Sequence, residues 1–292
     1  MNKRVVALLT SNLLFLVALP MLFPFILGIV DRQPRSAIAY GVSAVVTAIA
    51  AAGLRYAGRG APDVLHRKDA IGVVALTWIC LGIFGAVPFL VEGSIRHPAS
   101  ALFEAVSGFT TTGATVVSDV DGLSRATNLW RCLIHWLGGM GIVVLFVAVF
   151  PQLGVGAKHL FRAEVPGPIT EGLRPKIKQT ALALWWIYSA LTVAAAALLV
   201  FAGMPVYDAI CHAFSTLGTG GFSTKTASVG AFQSPAIDWI IAAFMLIAGL
   251  NFGLFYAALN GQVRGLFTNY ELRFYLLVNA LVIGVVFLCI RG

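Results

Sequence analysis

Charge is what this sequence has least of. Asp, Glu, Lys and Arg make up 11% of its 292 residues, while hydrophobic residues make up 59%. An ordinary soluble domain is about 25% charged, and a soluble chain of this length could not hide so much apolar surface. Cysteine is sparse too. Cys80, Cys132, Cys211 and Cys289 stand far apart, one to an apolar segment, which excludes a disulfide framework or metal-ligand spacing and leaves buried thiols. The marks of an enzyme are missing: no acid pair, no nucleophile beside a base, and no Walker-type lysine after the glycine-rich turns. No cofactor is implied. The net charge of +8 is spread over short loops rather than gathered in a stripe with aromatics, which argues for membrane topology and against nucleic acid.

What remains is hydrocarbon of membrane-spanning length. Apolar runs near 5–30, 37–54, 70–91, 128–150, 179–202, 236–259 and 272–290 each suffice to cross a bilayer. The first follows Lys3 and Arg4, is too long for a signal-peptide core and lacks a small-residue cleavage site, so it reads as a retained helix. Stretches 98–110 and 206–217 are too short to cross. With the N-terminus inside and these short stretches outside, thirteen of the twenty Lys and Arg residues fall on the inner side and seven on the outer. The expected protein is an all-α, multi-pass membrane protein with a cytoplasmic N-terminus. Arg131, near the outer end of its run, reads as snorkelling to the interface.

A shift of 107 residues lays Pro98 on Pro205 and Thr112-Gly113 on Thr219-Gly220, and brings the flanking apolar runs into approximate register. Each unit reads span, short half-helix, polar turn, span, and 272–290 stands where a third would begin. About a dozen residues after Pro98 reach roughly 18 Å, or half a bilayer. Proline suits a first helical turn, and the partly negative C-terminal end then points to the membrane middle, where it favours a cation.

Irregular backbone in hydrocarbon must be buried in protein or line water. The turns SGFTTTGATV (107–116) and LGTGGF (217–222) therefore face something polar. Gly113, Gly220 and Gly221 permit successive carbonyls to face one way, and such carbonyls can replace the hydration shell of a potassium ion. The expected ligands are backbone carbonyls of Thr111, Thr112, Gly113, Ala114 and Thr115, and of Gly218, Thr219, Gly220, Gly221 and Phe222, with threonine hydroxyls adding oxygen or bracing the loops. Glu104 reads either as a cation-attracting charge behind the filter or as an acceptor for loop hydrogen bonds. Asp119 and Asp121 either concentrate cations at the outer mouth or belong to a solvated loop. His135 and His212 read as satisfied helix-end residues, with pH sensing the alternative, and GGMG (138–141) as a close-packing patch or as room beneath the filter.

AVSGFTTTGATV (105–116), HWLGGMGIVVL (135–145), HAFSTLGTGGFST (212–224) and AGLNFGLFYAALNGQ (248–262) followed by NYELRFYLL (269–277) resemble the TrkH-type pore subunit of bacterial Trk potassium uptake. The resemblance covers essentially the whole chain. It implies an N-terminal hairpin over 1–60, a first pore-loop repeat over 68–150, a cytoplasmic basic loop over 151–175, a second repeat over 176–260, and the start of a third over 261–292. It also implies filter glycines at Gly113 and Gly220, with glycine at the first of these going with potassium and serine with sodium in related plant transporters. A homodimer is implied, gated by a cytosolic nucleotide-binding regulatory subunit (TrkA-like), in the bacterial inner membrane. Family members carry four repeats where this chain has two and a helix, so the chain is expected to be a partial product or to combine repeats from two copies. The alternatives to a potassium path are a non-conducting fragment that needs further chains, and a secondary transporter with re-entrant hairpins.

Overall fold

The computed structural model describes residues 1–62, 66–139, 177–259 and 268–291, with Gly141 and Gly261. Every regular element among them is helical: α1 (Lys3–Ala18), α2 (Leu22–Val30), α3 (Pro34–Ala57), α4 (Arg67–Glu92), α5 (Pro98–Phe109), α6 (Arg125–Gly139), α7 (Ile177–Phe201), α8 (Val206–Leu217), a short 3₁₀ turn, α9 (Pro235–Ala248), α10 (Phe252–Leu259) and α11 (Tyr270–Arg291). Five of the helical stretches are long and apolar enough to cross a membrane, or six if the bent pair α9–α10 counts as one span. The basic loop 151–175 and the end of the fourth apolar run lie outside the described residues.

The first run is interrupted. Proline at position 20 supplies no N–H, and a short turn separates α1 from α2, although Lys3–Val30 still forms one span of 28 residues. The run over 236–259 is broken more sharply, with α9 and α10 meeting at 86°. Asn251 explains the break: its Oδ1 accepts the Gly253 N–H at 2.9 Å, so it caps a new helix instead of continuing the old one. The Tyr275 ring of α11 lies against Gly249 and its hydroxyl donates to the Leu246 carbonyl at 3.2 Å, so that helix braces the bend.

The contacts sort the helix ends onto two sides. The start of α1 meets the start of α4 through the Asn2 N–H and Asp69 (2.5 Å), and Gly58, after α3, lies against the backbone of Arg4 and Leu8. On the other side Asp31, after α2, pairs with Arg125 at the start of α6 (2.8 Å), and the Tyr207 hydroxyl of α8 donates to the Arg125 carbonyl. Both short helices, α5 and α8, therefore enter from the side of the α2–α3 turn. Helix α6 packs on α5, on α8 and on α2, and so joins the two units. Helix α11 has no buried residue in its spanning stretch, and Cys289 on it is exposed where a buried thiol was expected; Cys80, Cys132 and Cys211 are buried.

A carboxylate fixes the entry side. Glu92, at the end of α4, is buried and accepts hydroxyls from Ser36 of α3 (2.5 Å), from Ser124 (2.6 Å) and from Thr127 of α6. Tyr40 completes the network by donating to Thr127 at 3.2 Å. Three helices thus share one acceptor. Glu92→Leu leaves three hydroxyls without it and should cost on the order of 3 kcal/mol. A lowered thermal midpoint in detergent, with Glu92→Gln falling between, is the expected result.

Candidate functional site: two opposed re-entrant loops

The loop after α5 begins with a left-handed residue, Thr111, at φ 54°. The Thr111 N–H donates to the Gly108 carbonyl (3.0 Å) and the Thr112 N–H to that of Ser107 (2.9 Å), which is a Schellman cap. The loop after α8 repeats it, with Thr219 at φ 54°, its N–H on Thr216 (3.0 Å) and the Gly220 N–H on Ser215 (3.0 Å). Glycine is the usual occupant of that position. A β-branched residue there is an outlier that costs on the order of 1–3 kcal/mol, and it occurs twice, at corresponding places. The surrounding contacts must impose this conformation on both loops.

These caps set the register of the repeat at 108 residues, not 107. Helices 98–109 and 206–217 correspond residue for residue. Gly113 (φ 75°) then matches Gly221 (φ 94°), and Gly220 matches Thr112. The difference comes from the prolines: Pro98 opens α5 as its first residue, whereas Pro205 is the N-cap of α8. Proline tolerates both positions, so it does not fix a register.

Each loop is braced from its own short helix by a polar side chain at the same place. Glu104 accepts the Thr115 hydroxyl (2.8 and 3.0 Å) and the Val116 N–H (3.0 Å). At the 108-residue equivalents, His212 Nε2 accepts the Ser223 hydroxyl at 3.0 Å while its Nδ1–H donates to the Asp208 carbonyl at 2.7 Å. Thr115 accepts the Val117 N–H and Ser223 accepts the Lys225 N–H, both at 3.0 Å. At the position of Glu104 and His212 the geometry is shared and the charge is not; one turn earlier on α8, Asp208 accepts the Thr224 hydroxyl at 2.5 Å and gives the second loop a carboxylate of its own.

Arg131 lies between the loops. Sequence reasoning put it at the interface, but its side chain is 1% exposed and pairs with Glu104 at 2.8 Å. It also donates to the Thr115 hydroxyl (3.1 Å), to Asn128 (3.3 Å) and to the Ser223 carbonyl of the second loop (3.3 Å), and it covers the Phe222 ring at 4.3 Å. The sequence offered no partner within helical reach; Glu104 is 27 residues away. Glu104 therefore behaves as the acceptor for the loop, neutralised by a guanidinium. The His135 ring also stacks on Phe222, with centroids 4.0 Å apart. Its Nδ1 receives the Phe222 N–H (3.4 Å) and the Ser215 hydroxyl (3.0 Å), which assigns the proton to Nε2.

The remaining expected residues divide by what already occupies them. The Ala114 carbonyl accepts the Ser107 hydroxyl (2.5 Å) and the Phe222 carbonyl faces the Cys132 thiol (4.0 Å), so in both loops this carbonyl turns back into the protein. The Thr112 hydroxyl donates to Thr110, which donates to the Val106 carbonyl. A Cβ on Gly113 would overlap the Gly220 carbonyl oxygen, so the two loops meet directly. Gly218 packs on the His135 carbonyl, and Thr219 and Gly221 are exposed. Within GGMG, Gly138 lies against the Phe109 carbonyl and Gly139 against Gly218, which is close packing beneath both loops. Further along the first loop, Asp119 accepts the Gly122 N–H (3.1 Å). Asp121 accepts the Thr226 N–H (2.9 Å) and pairs with Lys225 (3.3 Å), which ties the first loop to the second. That N–H foremost, with the Thr226 hydroxyl and Lys225 adding to it, holds the Asp121 carboxyl below the usual carboxylate range. Among the described residues no group of three or more His, Cys, Asp or Glu is placed to hold a metal ion.

Comparison with known proteins gives one family. The model of TrkH, described as a cation transport protein, matches residues 14–291. The Trk system potassium uptake protein TrkH of Salmonella typhimurium is 42% identical over 264 residues, 90% of this chain and 54% of that protein. Its namesake in Halomonas elongata is 40% identical over 283 residues, 96% of this chain and 58% of that protein. The crystal structure of the potassium transporter TrkH from Vibrio parahaemolyticus superposes with a TM-score of 0.83 at 34% identity, covering 99% of this chain and 59% of that one. The chain spans about half the length of the curated relatives it matches.

The 108-residue register makes Gly220 and Gly221 unlike. A Cβ at Gly220 would drive into the buried His135 ring, which Phe222 holds in place, whereas a Cβ at Gly221 meets open space and only an unfavourable φ. Gly221→Ala should cost about 1 kcal/mol and Gly220→Ala about 3 kcal/mol. Thermal unfolding of the two variants should rank them in that order; the reverse order would return the register to 107.

Proposed function

Because the chain belongs to the TrkH family of cation transport proteins, we propose that it forms a potassium-uptake path across the cytoplasmic membrane, with the two re-entrant loops as walls of its selectivity filter. The observation that carries this reading is the pair of strained, similarly capped turns meeting at Gly113 and Gly220, at the ends of two helices of 12 residues each, too short to cross a bilayer. Helix C-terminal ends and glycine-rich backbone favour a dehydrated cation without a fixed charge beside it. The proposed ligands are carbonyls of Thr111 to Gly113 and of Gly218 to Gly221. The Ala114 and Phe222 carbonyls and the Thr115 hydroxyl are left out of this set because protein groups already engage them. Potassium is the substrate, as the relatives' names suggest.

Orientation follows from the basic residues. The side that gathers the starts of α1 and α4 carries Lys3, Arg4, Arg67 and Lys68, which favours a cytoplasmic N-terminus and entry of α5 and α8 from outside. Asp119 and Asp121 then stand at the outer mouth. The basic loop 151–175 would face the cytoplasm as the contact for a nucleotide-binding regulatory subunit, and two protomers would associate as a homodimer.

Rubidium uptake into cells that lack their own potassium transporters tests the reading. Expression should restore uptake in preference to sodium, and Gly113→Ser with Gly221→Ser should lower that preference about tenfold, a loss of about 1.4 kcal/mol in discrimination. Unchanged selectivity in a conducting double variant would remove the loops from the filter.

A further inference from the structure

The two loops are braced alike, but their carboxylates stand at different places. At the position equivalent to Glu104, His212 holds Ser223 as a neutral imidazole and brings no charge; the second loop's carboxylate is Asp208, one turn earlier on α8, which accepts the Thr224 hydroxyl at 2.5 Å. Glu104 holds Thr115 as a carboxylate, fully buried. An unopposed carboxylate there would hold a cation too firmly to release it, and conduction requires binding weak enough to leave. Arg131 supplies the opposing charge through Nε at 2.8 Å. Its other two nitrogens do something a point charge cannot: one takes the Thr115 hydroxyl of the first loop and the other the Ser223 carbonyl of the second, while the guanidinium face rests on Phe222. Lysine could match the charge but not that fork.

We infer that Arg131 is a charge-balancing and positioning residue of the cation path, in which the Glu104–Arg131 pair sets how tightly the ion is held and the link from Thr115 to Ser223 sets how well one ion is told from another. The inference rests on the reading of the loops as a cation filter, and it makes the first loop's selectivity depend on the second.

The test is rubidium binding to the purified protein and rubidium uptake in proteoliposomes, for the wild type, E104Q, R131Q, the neutral pair E104Q/R131Q, and R131K. Glu104→Gln leaves a positive charge and should raise the half-saturating rubidium concentration about threefold or more; Arg131→Gln leaves a negative one and should lower it by a similar factor. The neutral pair should return to within about twofold of the wild type, and R131K should keep that affinity while losing preference for rubidium over sodium. Shifts of opposite sign cannot come from a loosened loop, which would weaken binding in every variant. Should a single variant fail to fold, the neutral pair and R131K carry the test, since neither leaves an unpaired buried charge. Shifts of one sign in both single variants, a neutral pair far from the wild type, or unchanged selectivity in R131K would overturn the inference. A wild type that neither binds nor transports rubidium would overturn the cation-path reading and this one with it.

Discussion

Backbone that leaves helical geometry inside a bilayer must find its hydrogen bonds within the protein, because lipid offers none. Much else in this structure follows from that constraint. Helices α5 and α8 stop halfway, and at each end the orphaned carbonyls are taken by the two N–H groups of a Schellman cap. Beyond the cap the chain runs against helix side chains that supply what secondary structure would have supplied: Ser107 on a carbonyl, Glu104 on an N–H and a hydroxyl, His212 on a hydroxyl. The price of irregular backbone is a dense local polar network in an otherwise apolar protein.

That network also explains the few buried charges. A carboxylate at position 104 satisfies more loop donors than a neutral acceptor could, but it requires a counter-ion. It comes from α6, the helix that packs on both short helices. Arg131 sits one turn below Asn128, whose amide takes the Val120 carbonyl and whose oxygen takes the guanidinium. The loop that holds Val120, the two threonine–glycine turns and α6 are thereby joined through side chains. Glu92 follows the same logic further out, with hydroxyls instead of a cation as its partners.

The spans, the two half-helices and the threonine–glycine turns were legible in the sequence because they rest on length and hydropathy, which are local. What was not legible depends on partners distant in the chain. Arg131 looked like an interfacial residue because nothing nearby in sequence could pair with it. The register of the repeat looked like 107 because two prolines are more conspicuous than two threonines, although the threonines adopt the conformation that matters. The bend at Asn251 was hidden inside a run of uniform hydropathy, since one asparagine in an apolar segment reads as tolerated until its side chain is seen capping a new helix. The Glu104–Thr115 and His212–Ser223 correspondence could have been found by shifting the sequence one residue further, where Ser107, Thr111, Gly113 and Thr115 fall on Ser215, Thr219, Gly221 and Ser223.

Neighbouring glycines on α6 touch different loops: Gly138 the end of α5, Gly139 the start of the loop after α8. Backbone meets backbone at both points, with the Thr111 methyl beside the first and the Tyr188 hydroxyl beside the second. One helix is therefore a common floor under two walls. A rotation of α6 that relieved one contact would press on the other, so the two loops cannot be widened or narrowed one at a time from beneath. Any motion of that helix is transmitted to both as a single mechanical event.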